Sequence, residues 1–205
     1  ERYVHNDEEI IFIKKEFLED LKENEILFFE YIENFGFNND QINNILKSLD
    51  NHKINRFESE EFNLINERDH IILMPKYFSA KISYTLKGIQ DIDTKFLKIN
   101  IRKYEIENFL LSKNKNNAQL DLDRIQFPLK LRNYKVGEKF TPLGMKNKKK
   151  ISDFLSNLKV GYLSKLKQCV IADKNNNILW VVGQQISENF KVDSNTKNII
   201  EFEII

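Results

Sequence analysis

From position 26 the apolar residues recur with a helical period: Ile26, Phe29 (with Phe28 beside it), Ile32 and Phe35, ending at Gly36, a residue suited to the left-handed turn after a helix. Asn38 stands three positions before Gln41, the spacing of an N-cap and its capping-box partner. Ile42, Ile45, Leu46 and Leu49 then follow at i, i+3, i+4 and i+7. The pattern predicts two helices joined by a three-residue turn. After Lys53 the period shortens toward two. Phe57, Phe62, Leu64 and the run Ile71-Ile72-Leu73-Met74-Pro75 predict short strands, with a hairpin at Glu67-Arg68-Asp69. Further strands are predicted over 80–86, 96–102, 118–122 and 127–132, with a polar loop at 113–117. In the last part Ile151, Phe154, Leu155 and Leu158 form a helical stripe. The segments 169–172, 178–182 and 198–205 read as strands, and 173–177 reads as a hairpin loop.

No repeat of fixed period is present, so the predicted class is α+β: helices and short antiparallel strands first, then a small C-terminal α+β domain with mostly antiparallel strands and one or two helices. A boundary is expected between 121 and 126, which gives a central region, 1–125, and a C-terminal region, 126–205.

Composition narrows the functional classes. The 205 residues are 41% hydrophobic and 12% aromatic, with a formal net charge of only +1, which excludes a disordered chain. No apolar run approaches the length of a transmembrane helix, so no membrane association is expected. The chain starts at Glu1 with neither Met nor an apolar leader, and is expected to be a piece of a longer protein. A lone cysteine, Cys169, cannot form an internal disulfide and fits a cytoplasmic location. Lys outnumbers Arg 26 to 6 and Asn occurs 25 times, a bias of AT-rich coding that lowers the information in any one lysine cluster.

Charge along the chain is nevertheless uneven. Residues 1–69 hold 8 basic and 18 acidic side chains, whereas residues 130–167 hold 11 basic and 2 acidic. A uniform lysine bias would not leave one segment nearly free of acids. The two predicted helices could form a helix-turn-helix, but Glu25, Glu30, Glu33 and Asp40 would meet phosphate with the wrong sign, so packing is the better reading.

Catalytic motifs are missing. The six glycines never cluster into a phosphate-cradling loop, and GxxxxGK[ST], GxGxxG, HExxH and GxSxG are all absent. His5, His52 and His70 lack metal-ligand spacing with one another or with Cys169, which favours surface or packing roles. Asp121 and Asp123 read as solvated or turn-capping carboxylates.

The basic segment carries more than charge. Gly137 and Gly144 flank a turn containing Pro142, and Lys146, Lys148, Lys149 and Lys150 run straight into the Ile151–Leu158 helix, with Ser152 as its expected N-cap. Unpaired N–H groups at a helix start, with lysines just before it, suit a phosphate. Asp153 competes for the same dipole, and a merely solvated loop stays open as an alternative. Lys159, Lys165 and Lys167 would extend the positive surface. Phe154 and Leu155 read as core. Trp180 reads as core more readily than as a platform for a base.

These residues resemble the tRNA(Ile)-lysidine synthetase family. The shared pattern is Arg132, then Gly137-Glu138-Lys139, then Pro142 and Gly144, followed by Lys149-Lys150-x-Ser152-Asp153-Phe154 and Lys159-Val160. A second block follows in Trp180-Val181-Val182-Gly183 and Ile186-Ser187-Glu188-x-Phe190-Lys191-Val192, with the spacing to Thr196. Ile26–Leu49 and Phe57–Pro75 resemble the family's central region. Departures are Gly161 for a usual Pro, Gln185 and Asn189 where Arg is common, and Glu138-Lys139 for the usual Asp-Arg.

The resemblance implies a parent enzyme that uses ATP with Mg²⁺ to adenylate the wobble cytidine of tRNA(Ile) and then joins lysine to it. The family's Ser-Gly-Gly-x-Asp-Ser motif belongs to an N-terminal ATP-pyrophosphatase domain and does not occur in these 205 residues. No catalytic residue is therefore expected here. What the resemblance leaves to this part is holding the tRNA, with the C-terminal domain near the acceptor stem. Candidate contacts are Arg132, Lys139, Lys146, Lys148, Lys149, Lys150, Lys159, Lys165 and Lys167, with Lys149 and Lys150 foremost. The alternative is a structural or dimerisation module, in which the acidic part meets the basic surface of a second copy or neutralises it within one chain.

Overall fold

The computed structural model describes residues 4–7, 9–49, 54–76, 82–94, 97–108, 111–112 and 114–205, and of residues 5, 7, 17–24 and 108 the backbone only. The chain divides after Ser79 into two compact units.

In the first unit, strands β1 (Val4–Asp7) and β2 (Ile10–Lys14) lead into helices α1 (Phe17–Glu33) and α2 (Asn39–Leu49), followed by β3 (Asn55–Glu58), β4 (Phe62–Asn66) and β5 (His70–Pro75). The five strands form one antiparallel sheet in the order β1-β2-β5-β4-β3. Phe28, Ile32, Ile42 and Ile45 from the helices pack with Ile13, Leu64, Ile71 and Leu73 from the sheet. Each such side chain contributes about 1.5–3 kcal/mol through burial.

The turn between the helices forms as the sequence predicts. Asn38 Oδ1 accepts the Gln41 N–H at 2.9 Å, and the Asn38 N–H donates back to Gln41 Oε1 at 3.0 Å. Gly36 takes φ +76°, and its N–H closes onto Glu33 O. The stripe on α1 is shifted, however. Phe28 and Ile32 are buried, with Phe35 half-buried, whereas Ile26 is 74% exposed. Ile26 lies about 200° around the helix from Phe28, so both cannot face the same sheet. The hairpin at 67–69 forms between β4 and β5. His70 packs edge-on against Phe12, in keeping with a packing role, while His52 and the side chain of His5 lie outside the described residues. The strands at 4–14, in a part read from sequence as mainly helical, were not foreseen.

The second unit contains two main sheets. The first joins β6 (Ser83–Leu86), β10 (Leu129–Asn133), β13 (Cys169–Ala172), β14 (Ile178–Val181) and β15 (Gln185–Ile186) in the order β15-β14-β13-β10-β6. The second joins β7 (Ile92–Asp93), β8 (Lys98–Glu105), β9 (Asn117–Asp121) and β16 (Asn198–Ile204) in the order β7-β8-β16-β9. Strands β11 (Lys139–Phe140) and β12 (Lys149–Lys150) form a small ladder, and helices α3 (Ile151–Asn157) and α4 (Tyr162–Lys167) follow it.

Alternation along β13 divides two cores. Cys169 and Ile171 join Leu131, Trp180, Ile101, Leu120 and Phe202 between the main sheets. Val170 and Ala172 point the other way, onto Phe140, Ile151, Phe154 and Leu155. Phe154, Leu155 and Trp180 are thus core residues, and the class is α+β.

The compact units part after Ser79, whereas the sequence reading places its boundary at 125. The reason is β10, which opens the expected C-terminal region and pairs with β6 from well before it.

Candidate nucleic-acid interface

The basic segment is organised by the β11/β12 ladder, in which Lys139 stands opposite Lys150 and Phe140 opposite Lys149. Phe140 is buried, its ring edge-on to Phe154 with centroids 5.1 Å apart. Residues opposite each other share a face, so Lys139 and Lys150 both project from the outer one, with Cβ atoms about 5 Å apart. Two ammonium groups so placed repel each other, and neither forms an ion pair with any described residue.

Lys146 and Lys148 lie exposed in the connecting loop, also without ion pairs among the described residues. The loop backbone is held by other groups. Gly144, at φ +80°, donates its N–H to Glu188 Oε2 at 2.8 Å, and the Leu143 N–H reaches Ile186 O at 3.1 Å. The Glu188 N–H returns to Thr141 O at 2.8 Å, and Lys191 Nζ pairs with the second oxygen of the same carboxylate. Hydrogen bonds from Lys191 and Gly144 hold the Glu188 carboxyl below the usual range.

Arg132 differs from the other candidates. Its guanidinium forks onto Glu138, NH1 to Oε2 at 3.0 Å and NH2 to Oε1 at 2.6 Å, with side chains only 11% and 14% exposed. NH1 also donates to Asn133 O, and Glu138 Oε2 accepts the Lys135 N–H at 2.9 Å. Burial pushes the Glu138 carboxyl up, but the bonds from Arg132 and Lys135 outweigh it and leave it below its ordinary value. The fork of Arg132, expected from sequence to face a ligand, is taken up in closing the turn at 133–138.

The start of α3 also departs from expectation. Lys150, in extended conformation, precedes the helix with no side-chain cap, and the Ile151 N–H donates to Glu138 O at 2.9 Å. Ser152 sits inside the first turn, its hydroxyl on Asp153 Oδ1. The first free donor of the helix is therefore satisfied by the protein. Lys149 is half-buried and runs back along α3. With the Asn157 amide turned so that its oxygen faces the ammonium, Nζ lies 2.6 Å away and the amide nitrogen donates to Asp153 O.

Lys159 closes α3. It holds φ +57°, with its N–H on Ser156 O and the Val160 N–H on Leu155 O, the two bonds of a Schellman motif in which Gly is usual. Its side chain is exposed and makes no ion pair with a described residue. Lys165 donates to Ser156 Oγ at 3.0 Å, and Lys167 is exposed at the end of α4.

The candidates therefore fall into three sets. Lys139, Lys146, Lys148 and Lys150 belong to the hairpin. Lys159, Lys165 and Lys167 lie on α3 and α4, with Lys149 reaching between. Arg132 stands apart. Sequence reasoning quoted Glu138 and Glu188 as pattern matches without seeing their task. Both anchor the loop, and their spacing from Arg132 and from Lys191 was the available signal.

Among the described residues no three His, Cys, Asp or Glu side chains come together to hold a metal.

Residues 6–76 match the family model described as the TilS substrate binding domain, and residues 129–202 match that of the TilS substrate C-terminal domain. The tRNA(Ile)-lysidine synthase of Parabacteroides distasonis is 29% identical over 177 residues, which are 86% of this chain and 40% of that protein. The enzyme of the same name from Clostridium acetobutylicum is 32% identical over 145 residues, 71% of this chain and 29% of its own. A crystal structure of a TILS C-terminal domain shares the fold, with a TM-score of 0.52 at 16% identity over 60% of this chain and 96% of that one. The chain spans about 40% of the length of the first relatives it matches.

Proposed function

Because this chain carries the substrate binding and C-terminal domains of the tRNA(Ile)-lysidine synthase family, we propose that it is the part of such a ligase that holds the tRNA. Lys139, Lys146, Lys148, Lys150 and Lys159 carry this reading: exposed cations without ion pairs among the described residues, on backbone fixed by other groups. An A-form stem is read mainly through its phosphates and its shape, and cations of this kind, pre-placed but unengaged, suit that task. Lys165 and Lys167 extend the surface, and Lys149 supports it from the Asn157 side. Arg132 serves the fold.

The whole enzyme would work in the cytoplasm, joining lysine to the wobble cytidine of tRNA(Ile) at the expense of ATP. ATP and Mg²⁺ would be held by an ATP-pyrophosphatase domain of the same parent chain.

The test is the pair Lys139→Glu with Lys150→Glu, titrated against tRNA(Ile) by fluorescence anisotropy across a salt series. Affinity is expected to fall at least tenfold, and the slope of log K against log salt to flatten by about two, with the thermal melt unchanged. Unaltered affinity and slope would remove the hairpin from the interface. Self-association of the parent chain without RNA affinity would favour the dimerisation module instead.

A further inference from the structure

Beside the lysine loop the second unit contains a cleft of about 370 Å³. Ile186 and the almost fully buried Trp180 form its apolar side, Leu143 contributes from the loop that goes on to Lys146, and Gln184, Gln185 and Lys115 supply polar groups. The volume is that of a small-molecule pocket and far too small for a nucleic-acid helix. None of the described residues lining it carries a carboxylate, although the chain has 31 Asp and Glu.

The amides fall into two kinds. Gln119 is engaged on both sides, accepting the Ser112 N–H and donating to Glu201 Oε1, both at 2.6 Å. Gln184 and Gln185 are half-buried, and their amides have no hydrogen-bond partner among the described residues. Side-chain amides over an apolar floor are the groups that read the edge of an unstacked base, and a nearby ammonium without an ion pair among the described residues suits its phosphate.

Resting on the RNA reading above, we propose that this cleft takes one unpaired nucleotide of the bound RNA, its base on the Gln184 and Gln185 amides and its phosphate toward Lys115. The source is RNA and not free nucleotide because Leu143 belongs to the loop that carries the lysines, so a strand leaving a stem held there has a short path into the cleft.

Trp180 is the only tryptophan in the sequence, so its emission reports on the cleft without labelling. The full chain is titrated with an unstructured RNA tetranucleotide, with a mononucleotide and with a blunt RNA duplex. The tetranucleotide is expected to change the emission saturably and to bind at least tenfold more tightly than the mononucleotide. Gln184→Ala with Gln185→Ala should weaken it about tenfold and leave duplex affinity, read by anisotropy, within twofold. Should the double variant fail to melt cooperatively, Gln184→Ala alone carries the same comparison.

Duplex binding with no emission response to the tetranucleotide, or a response indifferent to both glutamines, would overturn the cleft assignment and leave the RNA reading standing. A mononucleotide that binds as tightly as the tetranucleotide would overturn the assignment to RNA. Binding of neither duplex nor tetranucleotide would overturn both readings.

Discussion

Replacing Arg132 with leucine separates the role expected from sequence from the one found in the structure. The substitution removes both bonds of the guanidinium fork and leaves the 14%-exposed Glu138 carboxylate with only the Lys135 N–H. Breaking a buried pair by removing one partner costs about 3–5 kcal/mol, mostly as an uncompensated charge. The remaining hydrogen bond and the slight exposure place this case at the lower end, about 3 kcal/mol. For a unit of this size that is a fall of roughly 10 °C in Tm.

Adding Glu138→Leu removes the stranded charge and should restore at least half of the loss. Circular dichroism melts and urea titrations of the parent and the two variants measure it, with tRNA anisotropy at a temperature where all are folded. The folded Arg132→Leu protein should bind within threefold of the parent. A variant that melts normally yet loses RNA affinity would refute the assignment, because the guanidinium would then be reaching the ligand.

The pair also has a pH signature. The folded Glu138 carboxyl lies below its unfolded value, so the stability it contributes is full above the unfolded pKa of about 4.3 and is lost as pH falls through the lower folded one. The gap between the parent and Arg132→Leu should therefore be widest near neutral pH and narrow on acidification, as the stranded carboxylate of the variant takes up a proton and the parent then loses its pair.

Two further outcomes follow from local geometry. Lys159→Gly relieves a left-handed residue at the end of α3 and should raise stability by about 1 kcal/mol in a urea titration while lowering RNA affinity slightly; no gain would mean that the φ of +57° carries no strain. Burial pushes the Cys169 thiol up to about 11, so a thiol reagent at pH 8 should leave the native protein unlabelled and react fully in denaturant, and rapid native labelling would contradict the buried placement.

What could be read in advance was local. The capping box of Asn38 and Gln41, the hairpins at 67–69 and 173–177, strand β13 and the burial of Phe154 and Leu155 each depend on residues a few positions apart. Ile10–Ile13 is too short an apolar run to assign by period, and the phase of α1 was decided by the sheet it covers, which a stripe of adjacent phenylalanines does not fix. The two-residue strands β11 and β12 have almost no pattern of their own and exist because Phe140 and Ile151 share a core. The lysines were visible as charge, but the pairing of Arg132 with Glu138 depended on a fork that charge alone does not reveal. The cleft was invisible, since Leu143, Trp180, Gln184 and Lys115 meet only through the pairing of distant strands. The division after Ser79 was hidden for the same reason: β6 finds β10 across more than forty residues.

The anchoring of the 141–150 loop by Glu188, Ile186 and the Phe140 ring has an evolutionary consequence. The ammonium groups at 139, 146, 148 and 150 hold no partner among the described residues, so exchanging any of them should leave the architecture beneath intact. If these lysines hold RNA as proposed, a lineage could tune its grip on a polyanion, residue by residue, to the ionic strength of its cell, with heat tolerance set independently by a scaffold that those exchanges never touch.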